Sequence, residues 1–214
     1  MISQLVRKAK NLLSPSTSAA NLRTDYYYNR IYFKRLFFFF RTYNEAAGDS
    51  NLKFTTAQIS PLGLHFGSST QSVKKELGEP KYVFDNKNAA HHHQVFFFRK
   101  SFTDLNLLVQ VQFYNNQLFF IGLDITRRLI DDNEKIEIIN TVIQKYLNQP
   151  HVLGQAYPLI QDDRKNLIII NDDINFSICY LGGGIDLKKQ DAISKAMEDV
   201  LKEKPDKGSL FYAF

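Results

Sequence analysis

The sequence predicts an α+β fold, a mostly antiparallel sheet made of a β-meander and a later hairpin, with helices packed on one face. Three observations carry this. Residues 91–125 read as three consecutive strands, residues 131–147 carry the apolar stripe of a helix, and residues 166–181 read as a second strand pair. The order helix, four strands, helix, hairpin, helix fits two similar half-units.

The central stretch, HHHQVFFFRKSFTDLNLLVQVQFYNNQLFFIGLDI, is crowded with Val, Phe, Tyr and Leu, which suit a pleated, half-buried surface. Val109-Gln110-Val111-Gln112-Phe113 alternates strictly, the pattern of a strand with one covered face. Asn115-Asn116 supplies a turn, because Asn tolerates positive φ. A two-residue loop pairs Tyr114 with Gln117 and Val111 with Phe120. It places Val109, Val111, Phe113, Leu118 and Phe120 on one face with Gly122. A three-residue loop slips the register by one and brings Phe119, Ile121 and Leu123 beside Val111. The two-residue loop is preferred. Phe96, Phe97 and Phe98 stand in a row in the first strand. A sheet this apolar on both sides is either covered twice or meets a partner.

The net charge of +5 is unevenly spread. Residues 1–43 hold eight cations against the single anion Asp25, a net +7 that leaves the rest of the chain at −2. The basicity therefore belongs to the N-terminal segment, which excludes a whole-chain basic nucleic-acid binder. One cysteine, Cys179, excludes an intrachain disulfide and a multi-cysteine zinc site, and suits a reducing compartment. Residues 1–50 thus read as a basic, aromatic N-terminal segment and residues 51–214 as the sheet domain.

Within the N-terminal segment, Met1 to Leu13 fits a short amphipathic helix with a basic edge. It lacks the apolar core and cleavage pattern of a secretory signal, and it shares acid-free, serine-containing composition with transit peptides. Ser14 to Ala20 reads as a linker. Tyr26 to Tyr43, YYYNRIYFKRLFFFFRTY, puts Arg30, Lys34 and Arg41 on one side of a helix with aromatics over most of the rest. Charge interrupts it too often for a bilayer span, which needs about 20 apolar residues. Tyr27, Arg30, Lys34, Arg35, Phe38 and Arg41 are its candidates for contact with a protein partner or a polyanion such as a membrane surface. Nucleic acid, with bases stacked on the aromatics, ranks behind these. The preferred alternative is that this segment docks on the uncovered face of the sheet and hides its phenylalanines.

Ser68 and Gln71 form a capping-box pattern for a short helix through Val73 and Leu77, which Gly78 and Pro80 end. The run Gly67-Ser-Ser-Thr-Gln-Ser-Val73-Lys-Lys-Glu-Leu77-Gly78-Glu-Pro80, followed by a β-meander, resembles the repeat of the β-lactamase-inhibitor-protein-like proteins. The outer-membrane assembly lipoproteins of the SmpA/OmlA type share that repeat. The resemblance covers about residues 58–125. It implies a helix followed by antiparallel strands and a binding role, and it brings no catalytic residues. The lipoproteins' signal peptide and lipidation cysteine have no counterpart here, so the expected location is cytoplasmic or membrane-peripheral.

Asp131-Asp132 caps a second helix with Ile136, Ile139, Val142, Ile143, Tyr146 and Leu147 in one stripe. Asn166 to Leu181 reads as the hairpin, with Leu167 to Ile170 continuously apolar, Ile174, Phe176, Ile178 and Tyr180 alternating with polar or small residues, and Asn171-Asp172-Asp173 as the turn. A third helix runs from about Asp186 to Glu203.

Candidate chemistry is sparse. His91 and His93 share one strand face, a spacing that can hold two ligands of a zinc or iron site, but a third ligand is needed. The competing reading is a solvated strand start. Asp131-Asp132, Asp162-Asp163 and Asp172-Asp173 can hold magnesium or act as acid and base, yet each sits where Asp serves the backbone of a helix start or turn. Gly182-Gly183-Gly184 lacks both the Lys-Ser/Thr and the GxGxxG spacing of nucleotide loops, and reads as a hinge. No cofactor is implied and no catalytic residue is assigned. The leading expectation is a non-enzymatic protein-binding or adaptor module, acting through an apolar sheet face and the N-terminal attachment segment, with a protein partner or self-association. Behind it stand a metal- or carboxylate-dependent enzyme and peripheral membrane or nucleic-acid binding through residues 1–43.

Overall fold

The computed structural model describes Tyr28 and residues 36–85, 93–102, 105–125, 130–151, 155–172 and 176–202. Residues 34–198 form one compact unit, and residues 1–33 with 199–214 form another. Among the described residues the helices are α1 (Leu36–Glu45), α2 (Thr70–Leu77), α3 (Asp132–Leu147) and α4 (Leu187–Lys202). The strands are β1 (Leu52–Thr55), β2 (Tyr82–Asp85), β3 (His93–Phe102), β4 (Leu105–Tyr114), β5 (Gln117–Ile125), β6 (Leu159–Asp162), β7 (Leu167–Asp172) and β8 (Phe176–Leu181). They make one open sheet in the order β1-β6-β7-β8-β5-β4-β3-β2. Every neighbouring pair is antiparallel except β1 and β6, which run parallel. The α+β class is therefore as expected.

The β4–β5 hairpin settles the register. Asn115 and Asn116 take φ of 49° and 59°, so the loop has two residues and Tyr114 faces Gln117. The register then shifts: Phe113 faces Leu118, but Gln112 faces Phe120. Phe119 is the extra residue of a β-bulge, and Val111 consequently faces Ile121 rather than Phe120. Leu118 and Ile121 join Val109, Val111 and Phe113 in the main core, while Phe119 and Phe120 meet the rings of α1. Phe120 thus leaves the face expected of it.

The two faces differ in kind. One is mostly apolar, and α2 and α3 cover it with Val73, Leu77, Ile139, Ile143 and Tyr146. The other carries Gln110, Gln112, Asp124 and Ser177, all buried. The alternation in β4 therefore does not separate core from solvent. It separates an apolar buried face from a polar-seamed buried one, which α1 helps to cover. Helices lie on both sides of the sheet, and α1, placed by the sequence in the N-terminal segment, belongs to the same compact unit as the sheet.

Two helix-then-meander runs follow one another, α2 with β2 to β5 and α3 with β6 to β8. Their last strands lie side by side, antiparallel, from Phe120 opposite Leu181 to Asp124 opposite Ser177. Local signals fix the helix ends. Asp131 and Glu134 form a reciprocal capping box on α3, and left-handed Asn148 closes it. On α2 the cap is Ser69, whose hydroxyl accepts from the Ser72 amide, one residue later than expected. Ser68 instead accepts the Leu118 amide through its carbonyl, stitching the loop before α2 to β5.

Candidate functional site

The element with most to offer a partner is α1. Its inner side is fixed. Leu36, Phe39 and Phe40 are buried, with the Phe39 ring 5.2 Å from Phe120 and the Phe40 ring 6.5 Å from Phe119. At its C-terminal end Tyr43 donates to the Gly183 carbonyl at 3.2 Å, and burial raises its phenol above the usual range. The amides of Asn44 and Gln190 on α4 exchange hydrogen bonds of 2.9 and 3.2 Å. Its outer side is bare: Phe37 is 73% and Phe38 54% exposed. Phe37, Arg41 and Asn44 follow at i, i+4 and i+7, one stripe of the helix. Asn44 shares a shallow groove with Leu187, itself 65% exposed.

Of the six contact candidates read from the sequence, Phe38 and Arg41 lie on this helix, and Tyr27, Arg30, Lys34 and Arg35 lie outside the described residues. Arg41 pairs with Glu45 at 3.0 Å, both well exposed. Such a pair is worth about 0.5 kcal/mol, so Arg41 can exchange Glu45 for another acid at little cost. Phe37 is the residue that sequence reasoning passed over. Inside a run of four phenylalanines no pattern says which rings turn outward; Phe39 and Phe40 turn inward onto Phe120 and Phe119 of β5.

His93 sits at the start of β3, fully buried, with Nε2 2.9 Å from the Gln112 side-chain oxygen and its ring 6.2 Å from Phe119. Burial pulls its pKa down to about 4, a fall that the Gln112 hydrogen bond partly opposes, so the imidazole is neutral at physiological pH. A solvated strand start is thus not its environment. His91 lies outside the described residues, and among the described ones no three His, Cys, Asp or Glu side chains group as a metal site.

Four of the five described aspartates of the three pairs have a structural employment, and the fifth, Asp163, is exposed. Asp131 caps α3. Asp172 holds Lys135 at 2.8 Å and accepts from Tyr157 at 3.3 Å, and Asp132 stands 3.7 Å from the same lysine. Asp162 is the most committed. Buried between β6 and β7, it accepts from the amides of Ile59, Arg164 and Asn166 and from the Asn166 side chain, all at 2.9 Å. Asn166 in turn accepts the Gly183 amide at 2.9 Å.

That last bond explains the glycine run. The Gly182 amide donates to the Phe119 carbonyl at 2.8 Å, so the amides of Gly182 and Gly183 are both consumed inside the protein. A Cβ on Gly182 would sit 2.8 Å from the Phe66 ring, and one on Gly183 would collide with the Arg164 carbonyl oxygen. The run is a point of close approach, neither phosphate cradle nor loose hinge. Next to it the loop before α2, the β4–β5 hairpin base, the β6–β7 turn and the start of α4 converge on a cavity of about 230 Å³. Phe66, Phe119 and Ile185 give it apolar lining, and Gln117, Arg164 and Lys189 line it as well. These residues come from four separate stretches, and nothing in their spacing connects them.

No protein-family model matches the chain, and no curated protein or solved structure matches it either.

Proposed function

We propose that this chain is a non-enzymatic protein-binding module that presents the outer side of α1 to its partner. One observation carries the reading: Phe37 and Phe38 stand exposed beside Arg41 on a helix whose inner side is bound to the sheet. Rings held on a fixed backbone lose little freedom on docking, and aromatic and arginine side chains dominate binding energy at protein interfaces. The partner that fits offers an apolar recess next to an acidic group. This shifts the binding surface from the sheet, whose second face α1 already helps to cover, to the covering helix. The resemblance of residues 58–125 to the β-lactamase-inhibitor-protein-like repeat supports a binding role, and the two successive helix-then-meander runs are in keeping with a tandem of such units. A photo-crosslinking residue at position 37 or 38, compared with one at exposed Gln144 on α3, tests it. Discrete adducts from α1 and none from α3 are expected, and equal labelling at both would end the reading.

The charge of residues 1–43 favours a second reading, attachment to an anionic membrane surface, in which Phe37 and Phe38 enter the interface and the basic residues meet headgroups. Among the described residues no helix is long and apolar enough to cross a membrane. Co-sedimentation with phosphatidylserine vesicles that fails in high salt would favour this reading over a protein partner. The enzyme reading, centred on His91 and His93 or the aspartate pairs, draws no support from the described residues, where His93, Asp131, Asp162 and Asp172 each have an employment of their own.

A further inference from the structure

The cavity beside Gly182 combines two features that a closed structural seam does not need. Part of its lining is apolar and built in, from half-buried Phe66 and the nearly buried Phe119 and Ile185. Its wall is cationic, with Arg164 and Lys189 on it and no acidic residue among the lining side chains. The Arg164 guanidinium makes no ion pair among the described residues, although the backbone amide of the same residue is spent on Asp162. The Lys189 ammonium is lightly held, by the Gly184 carbonyl at 3.0 Å and by Asp186 at 3.9 Å.

We propose that this cavity is a binding site for a small organic carboxylate with an apolar body, the carboxylate on Arg164 and Lys189 and the body against Phe66, Phe119 and Ile185. Size and chemistry select the class. At about 230 Å³ the cavity lies below the ~300–1,000 Å³ typical of drug-sized ligands, so its occupant has few heavy atoms. A guanidinium offers two parallel N–H donors to a carboxylate, the bidentate match that fixes orientation. Phosphate fits less well, because it is usually held by a fan of backbone amides, and here the Gly182 and Gly183 amides already have acceptors. Apolar lining, moreover, gives inorganic phosphate nothing.

The test titrates the full chain, followed by amide NMR, with phenylacetate, 3-methylbutanoate, uncharged phenylacetamide and inorganic phosphate. Saturable shifts at Gly182, Gly184, Ile185 and Ile193 are expected with at least one carboxylate, at a Kd of about 1 mM or tighter for so small a ligand. Phenylacetamide and phosphate should each bind at least about tenfold more weakly. Arg164→Gln, on an exposed side chain, should weaken the carboxylate about tenfold while leaving the rest of the spectrum in place. If neither carboxylate saturates, if phenylacetamide or phosphate equals it, or if Arg164→Gln has no effect, the assignment is wrong.

Discussion

The ring of Phe39 on α1 stands 5.2 Å from that of Phe120 on β5, tilted by 54°. This contact joins a helix from the basic N-terminal stretch to the strand at the middle of the sheet, and it answers where the surplus apolar surface of the strands goes. The chain supplies part of the cover itself, and in doing so turns two other phenylalanines outward.

Replacing Phe39 with Ala should therefore destabilise the protein by about 3–5 kcal/mol, the usual cost of deleting a buried aromatic. Phe37→Ala and Phe38→Ala, at exposed positions, should each change stability by less than about 0.5 kcal/mol. Urea unfolding of the three variants checks the contrast. Equal losses would mean that the inward and outward sides of α1 are wrongly assigned.

Asp162 is expected to matter for the same reason that it is not catalytic. Asp162→Ala strips the acceptor from three backbone amides and one side chain, three of these four bonds buried, and should cost about 3 kcal/mol or more. Asp163→Ala, on the exposed neighbour, should be close to neutral. Thermal denaturation distinguishes them directly.

The glycine run gives a sharper contrast. Gly183→Ala forces a methyl onto backbone that cannot retreat, and should cost about 3 kcal/mol or prevent folding, whereas Gly184, whose Cβ would meet nothing within 4 Å, should accept Ala with little change. Soluble yield and melting temperature of the two variants are the readout.

His93 makes stability depend on pH in a defined direction. Its folded pKa, about 4, lies below the unfolded value of 6.5, so the unfolded chain binds the proton more readily. Stability should be unaffected by this group above pH 6.5, fall as pH drops from 6.5 towards 4, and level off below, with a total near 3 kcal/mol. In His93→Gln that slope should vanish. A wild-type stability that stays flat across this interval would contradict the burial of the imidazole.

What could be read from the sequence followed the strength of local pattern. The three strands from His93 to Ile125, the stripe of α3 and its Asp131 cap all announce themselves within a few residues. β1 and β6 do not, because four residues are too few to show alternation, and β1 pairs with a strand more than a hundred residues away. The bulge at Phe119 was hidden for another reason: with apolar side chains at 118–121, a shifted register leaves no trace in polarity. The alternation in β4 misled about solvent because covering α1 depends on a distant part of the chain. Of the site, Arg41 and Phe38 were legible as types in an unusual run. The cavity was not, since Gln117, Arg164 and Lys189 meet only once four loops are in place.

The wiring of α1 and β1 has a consequence in time. Tyr43 waits for Gly183, Asn44 for Gln190, and the Thr55 hydroxyl for the Tyr146 carbonyl, separations of 140, 146 and 91 residues. A ribosome adding about 5–20 residues per second delivers the later partners on the order of ten seconds after the earlier ones. Phe39 and Phe40 find Phe120 and Phe119 about 80 residues after themselves, but until α4 arrives the C-terminal end of α1 stays unfastened, and the loop that must close is long, which slows closure and taxes it in entropy. The nascent chain is therefore at its stickiest before β5 emerges, when the phenylalanines that later seal the sheet are bare.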